Sequence, residues 1–217
     1  MPARTQTKVR RLPRVQRREQ ILAAATTAFA RTGFASTSLD DIAAEAGVTK
    51  VILYRHFESK TDLYQAVLDR FCGLLSTHVA EPVGGFTGAS IDGLMAAAAA
   101  EPAGFRLLFH HAAREPEFQA QADQFREEIT NIAYLQIQAM VPDQRWARWA
   151  AQLTPVVAIE AITAWLDAGG PDPADAADRV RQAIGGVIGA AAQKSADRLP
   201  LPADWGGNRD DDRGSDG

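Results

Sequence analysis

The chain has 217 residues, 46% of them apolar, one cysteine and a formal net charge of −4. That length admits a small domain joined to a larger one. A lone Cys72 excludes an internal disulfide framework, and the scarcity of alternating apolar patterns predicts an all-α fold. The charge is unevenly spread: residues 1–70 hold twelve Lys/Arg against seven Asp/Glu, and residues 71–217 hold eleven against twenty. A basic N-terminal part on an acidic chain fits a polyanion partner for that part alone.

Residues 1–13 are basic, contain proline and lack periodicity, which predicts a disordered arm. A first helix is predicted over 14–32, stopped at Gly33. Its segment RREQILAAATTAFARTGFA imitates a signal peptide, with Ala28-Phe29-Ala30 in the place of a cleavage site. Thr26 and Thr27 interrupt the apolar stretch, and Ile21, Leu22, Ala25, Ala28 and Phe29 recur at helical spacing. The expectation is an amphipathic helix of a cytoplasmic protein. No run of about 18 apolar residues elsewhere predicts a membrane span.

STSLDDIAAEAG begins a second helix. Ser38 and Asp41 stand at capping-box spacing, and Leu39, Ile42, Ala43 and Ala46 form its inner stripe. Gly47 ends it. Thr49 is placed to cap a third helix, with Leu53 and Phe57 facing inward. A helix, a tight glycine turn and a helix at this spacing match a helix-turn-helix. A fourth helix follows, capped by Ser59 with Asp62 in its first turn, and carries Leu63, Ala66, Val67 and Phe71 at helical spacing. Cys72, in DRFCGLL, reads as a buried reduced thiol. After a glycine-rich loop at 81–90, helices are predicted over 90–100, 103–114, 117–140, 143–168 and 173–196. Pro102, Pro116, Pro142 and Gly169-Gly170-Pro171 punctuate them, and Pro155 should kink or split its helix. Residues 198–217 form a polar tail.

TSLDDIAAEAGVTKVILYRHFESKTDLYQAVL resembles the N-terminal DNA-binding domain of the TetR family of bacterial transcriptional regulators. ARTGFASTSL, IAAEAGVTK, LYRHF and SKTDLYQAVL carry the likeness, in order, across residues 14–70. The resemblance implies a three-helix helix-turn-helix domain over 14–60. A long helix would join it to a helical effector-binding and dimerisation domain over 61–197, about nine helices in all. The implied partners are double-stranded operator DNA, a second copy of the chain and a small-molecule effector. Val51 stands where the family often has a small residue or glycine, and Ile52 is bulkier than the frequent Thr or Ser, so no relative's operator sequence carries over.

If Leu53 and Phe57 anchor the third helix, Lys50, Val51, Tyr54 and Arg55 lie on or near its exposed surface. Lys50 can bond guanine O6/N7, and the Val51 methyls suit a thymine methyl. Arg55 would read guanine or bind phosphate. The resemblance places Tyr54 and His56 on backbone phosphates. Lys60, at a helix start, and Thr37 and Ser38, at another, are expected to add phosphate contacts. Other readings stay open: Tyr54 as a half-buried core ring, His56 as a helix cap, Arg55 as part of a solvated face. Arg10, Arg11 and Arg14 either reach a minor groove or the DNA backbone or belong to a solvated tail.

In the C-terminal part, two helices are dimer candidates. Trp149, Leu153 and Val156 lie on one; Val180, Ile184, Val187 and Ile188 lie on the other, with Gly185 and Gly189 one turn apart. Two such helices from each subunit would form a four-helix interface, though intramolecular packing claims part of that surface. An effector pocket is expected between the middle helices, with Phe105, Leu108, Phe109, Phe125, Ile129, Tyr134 and Trp165 as candidates and an apolar or amphipathic ligand. Effector binding would release DNA by differential affinity for two states, as in a repressor. His111 and Glu115 are an i, i+4 pair, but adjacent His110 and His111 point about 100° apart on a helix, and Arg106 and Arg114 flank them. No metal or cofactor is expected. The sequence offers no nucleophile–base pair and no phosphate-cradling glycine loop, so an enzyme is not expected. A DNA-binding dimer without an effector is the remaining alternative.

Overall fold

The computed structural model describes residues 12–79 and 88–193. Among them nine α-helices, one π turn and one 3-10 turn follow one another, with no strand. The helices are α1 (Arg14–Ser36), α2 (Leu39–Glu45), α3 (Lys50–Tyr54), α4 (Lys60–His78), α5 (Gly88–Ala100), α6 (Pro102–Arg106), α7 (Gln119–Ile137), α8 (Gln144–Asp167) and α9 (Pro173–Ala192). The chain is all-α, as its patterning predicts. Arg10, Arg11, the rest of the expected arm up to residue 11, and the expected tail lie outside the described residues.

Side-chain caps define the short N-terminal helices. Ser38 and Asp41 close a full capping box at the start of α2. The Thr49 hydroxyl accepts the Ile52 N–H at 3.3 Å to start α3, and Ser59 accepts the Asp62 N–H at 3.0 Å to start α4. Gly47 turns the chain between α2 and α3 at φ +60°, a conformation L side chains rarely adopt. A helix of five residues such as α3 is unstable alone. It persists because Leu53 and Phe57 are fully buried with Ile21, Leu22, Phe29 and Ile42.

The first helical stretch breaks at Gly33, as predicted, and a further short turn follows the kink. Gly33 has φ +79° and ψ 169°, so it kinks the chain without adopting the left-handed helical cap, and the turn continues to Ser36. The predicted helix over 103–114 is three pieces: α6, a π turn (Leu107–His111) and a 3-10 turn (Ala112–Arg114). Pro155 does not split α8, which runs for 24 residues as one helix. Helix α8 is also long and apolar enough to cross a membrane by length and composition, with a mean hydropathy of 1.2 over 18 residues, contrary to the expectation from its interrupted apolar run. Here it packs between α7 and α9.

Three apolar clusters fill the molecule. The first joins α1–α4 but also takes in Leu107, Ala112 and Phe118, so the N-terminal core extends into the segment after α6. The second gathers Phe71, Phe105, Ile162 and Val180 among alanines. The third, at the far end of α7–α9, is built largely from Ala133, Ala147, Ala150, Ala151 and Ala191 around Ile137 and Val141. Gly104 permits the α4–α6 contact: a Cβ there would sit 2.5 Å from the Phe71 ring. Arg70 on α4 ties α1 to the start of α6 through Glu19 at 3.2 Å and Glu101 at 2.5 Å.

Candidate nucleic-acid interface and effector cavity

Burying Leu53 and Phe57 turns the other side of α3 outward. Val51 is 64% exposed and Tyr54 49%, so neither is packed away. Lys50 is exposed and its Nζ reaches Asp40 on α2 at 2.8 Å. Such an exposed pair contributes little to stability and leaves the cation free to exchange partners. Arg55 is exposed at the C-cap of α3. His56 is half-buried; burial, and then the charges of Arg14, Arg18 and Arg17, push its pKa below the ordinary value.

Those arginines form a cationic face beside the end of α3. Arg14 opens α1 and is exposed. Arg17 donates to Gln20 Oε1 at 2.9 Å, and Gln20 Nε2 donates to the Ala46 carbonyl at 2.8 Å, tying α1 to the turn. The Arg18 guanidinium lies 5.0 Å from the Phe57 ring centroid. Arg17 and Arg18 were not among the expected site residues. Their spacing from Arg14, at i+3 and i+4, was the available signal.

Two expected phosphate ligands are used elsewhere. Thr37 is only 3% exposed, and its hydroxyl donates to the Gly33 carbonyl at 2.6 Å and pairs with Thr32 at 2.7 Å. Lys60 Nζ donates to the carbonyls of Phe34 at 2.8 Å, Thr37 at 3.2 Å and Ala35 at 3.3 Å, and sits 4.4 Å from the Phe34 ring centroid. An ammonium has three donors, and here they hold the kinked end of α1. Ser38 remains exposed, with its hydroxyl bonded to Asp41 Oδ2 at 2.6 Å inside the capping box.

A cavity of about 350 Å³ lies among α4, the π turn, α7 and α8. Leu108, Phe109, Phe125 and Ile129 line it; Phe105, Tyr134 and Trp165 do not. Phe105 is fully buried between Phe71 and Phe109. Trp165 turns its Nε1 to the Pro171 carbonyl at 2.8 Å, and Tyr134 packs in the third cluster. Cys72, expected to be buried, is half-buried and reaches the cavity wall. Burial, and then Asp69, push its thiol pKa up.

Phe118 lines this cavity and also packs tilted against Tyr64 at 4.6 Å and edge-on against Phe34 at 5.5 Å between centroids. Nearby, Glu115 Oε1 accepts the Phe34 N–H at 3.1 Å. The Tyr64 hydroxyl is buried without a hydrogen bond, and burial and then Glu115 hold its pKa far above the ordinary value. Phe118 thus joins the cavity wall to the end of α1 through one aromatic cluster, and Glu115, just before it and outside the wall, adds a polar bond across 81 residues of sequence.

Of the expected dimer residues, Trp149 is 40% and Val156 47% exposed. Leu153, Ile184, Val187 and Ile188 are half-buried. Val180 is buried within its own subunit, in the second cluster with Phe71 and Ile162, so it does not belong to an outward face. Gly185, Gly186 and Gly189 have open space where a Cβ would stand.

The capped α2–turn–α3 unit, with its anchored second helix and exposed polar face, defines a helix-turn-helix DNA-binding protein. The model for "Bacterial regulatory proteins, tetR family" matches residues 21–67. The chain is 34% identical to the HTH-type transcriptional activator FasR of Mycolicibacterium smegmatis over 131 residues, 57% of this chain and 60% of FasR. It is 32% identical to the nucleoid occlusion factor SlmA of Pasteurella multocida over 136 residues, 58% of this chain and 68% of SlmA. A TetR-like transcriptional regulator from Rhodococcus sp. RHA1 has the same fold, with a TM-score of 0.68, 22% identity, and coverage of 84% of this chain and 100% of that one. The chain belongs to the TetR family of bacterial transcriptional regulators and carries its helix-turn-helix DNA-binding domain.

Proposed function

We propose that the chain binds a near-palindromic operator as a homodimer and leaves it when a small apolar or amphipathic molecule fills the cavity, acting as a repressor. The observation that carries this reading is the outward face of α3, where Lys50, Val51 and Tyr54 are exposed on a helix fixed by Leu53 and Phe57. Lys50 reads guanine and Val51 packs on a thymine methyl; Tyr54, Arg55, His56, Arg14, Arg17 and Arg18 take phosphates. Two copies joined through α8 and α9, with Trp149, Leu153 and Val156 in the contact, present two such faces to successive major grooves about 34–36 Å apart. Phe118 joins the cavity wall to the aromatic cluster at the end of α1, with Glu115 beside it bonded to Phe34, so a ligand that prefers one arrangement of that junction shifts the DNA-binding helices.

Selection of DNA from a random pool by the purified chain tests this reading. A palindrome should emerge, and affinity for it should fall steeply with salt as phosphates release counterions. Selection of no symmetric sequence would remove the reading's main support. The name of FasR, an activator, favours activation as a second reading. A reporter downstream of the selected operator, with and without the protein, separates the two by the sign of its response.

A further inference from the structure

The effector cavity has a charge as well as a shape. Its inner wall is apolar and aromatic, with the Phe109 and Phe125 rings 6.2 Å apart between centroids and tilted by 41°. Asp69 on α4 and Glu128 on α7 also line it, as does Arg126. Arg126 pairs with Asp123 at 2.5 Å in an exposed i, i+3 contact, so the described lining carries two acids against one cation. The two acids are held only by neutral amides, Asp69 by Gln65 Nε2 at 2.8 Å and Glu128 by Gln124 Nε2 at 3.0 Å. Among the described residues no ion pair reaches either one.

We propose that the effector is a lipophilic monocation, an aryl-alkyl amine or quaternary ammonium, whose apolar body fills the cavity while its charge rests between Asp69, Glu128 and the faces of Phe109 and Phe125. This rests on the reading of the cavity as the effector site. An ammonium gains from both carboxylates and from the negative ring faces. A carboxylate or phosphate head group in the same position meets two carboxylates against one arginine among the described lining residues, a net repulsion. A volume of about 350 Å³ sits at the lower end for small-molecule sites, which suits a ligand with a compact head group.

Three probes with one naphthylbutyl body separate the possibilities by calorimetric titration of the full chain: the trimethylammonium cation, the alcohol and the carboxylate. The cation should bind roughly tenfold tighter than the alcohol, the order of a cation–ring contact with carboxylate support, and the carboxylate weakest. In the Asp69→Asn/Glu128→Gln double variant the cation's advantage should fall to about twofold, with alcohol affinity unchanged. The acids are exposed, and the amides are isosteric, so folding is retained; Asp69→Glu should keep the preference. Equal or tighter binding of the alcohol or the carboxylate overturns the cationic class while leaving the cavity as the effector site. Failure of all three to bind, or binding that a cavity-blocking Ala122→Trp does not reduce, overturns the cavity reading and the cationic class with it.

Discussion

The two halves of this molecule bury their helices differently. In the N-terminal bundle the fully buried side chains are large: Ile21, Leu22, Phe29, Ile42, Leu53, Phe57, Leu63 and Tyr64. Three successive helices there begin on a side-chain cap. In the C-terminal half alanines supply much of the core, and Leu135, Met140, Trp146, Trp149 and Val156 remain exposed. Side-chain caps do not divide the halves: α6 and α9 start on proline without one, but α8 is capped by Asp143, and α1 lacks one. The first arrangement holds one geometry, which reading DNA requires. The second leaves a cavity and unpaired apolar surface, which suits a changing ligand and a second subunit.

The largest effect should come from breaking the rigid half. Leu53→Ala removes a fully buried anchor and should cost about 3–4 kcal/mol in urea unfolding, with operator binding lost. The equivalent truncation of half-buried Leu94, on α5, should cost about 1–2 kcal/mol. Equal costs at the two sites would dissolve the contrast between the halves. Next, Lys50→Ala should weaken operator binding about tenfold and flatten preference at one base position, with the thermal midpoint unchanged. Arg17→Ala should instead weaken binding to all sequences alike and lower the salt slope by about one.

The junction between the halves comes third. Glu115→Ala leaves the Phe34 N–H without its acceptor and should cost about 1–2 kcal/mol. It should also blunt the effect of ligand on DNA affinity while ligand binding itself persists. Retained ligand response in that variant would mean the two halves communicate by another route, with α4 the remaining connection.

The smallest expected effect is pH dependence. Burial lowers the pKa of His56, and of His111, below the ordinary 6.5. The unfolded chain therefore takes up protons before the folded one does. Stability should be complete above about pH 6.5 and decline as pH falls toward the lowered values. Urea midpoints at pH 7.5 and 5.5 measure this, and His56→Gln should remove part of the slope. The proposed phosphate contact of His56 favours its charged form, so operator affinity should change in the opposite sense, rising as pH falls.

Much of the N-terminal half was legible because its determinants are local. The capping box of Ser38 and Asp41, the caps Thr49 and Ser59, the turn at Gly47 and the pair Leu53 and Phe57 all act within a few residues, at spacings that helical geometry prescribes. The sorting of α3 into an inner and an outer face follows from the same rule, and Val51 lies outward because Leu53 lies inward. Lys60 and Thr37 were misread because their partners come from the end of α1, up to 26 residues away in the case of Lys60. Phe105 and Trp165 were misread because an aromatic residue at helical spacing suits a core and a pocket equally well.

By itself, then, the amino-acid order determined an all-helical chain, its helix-turn-helix and which residues of α3 point away from their own core. Only the tertiary structure decided that Lys60 braces α1, that Glu115 reaches Phe34 and that Phe118 belongs to both a cavity and a core. Periodicity and capping are properties of a single helix. A cavity, a shared aromatic cluster and a carboxylate bonded across 81 residues exist only once distant helices meet.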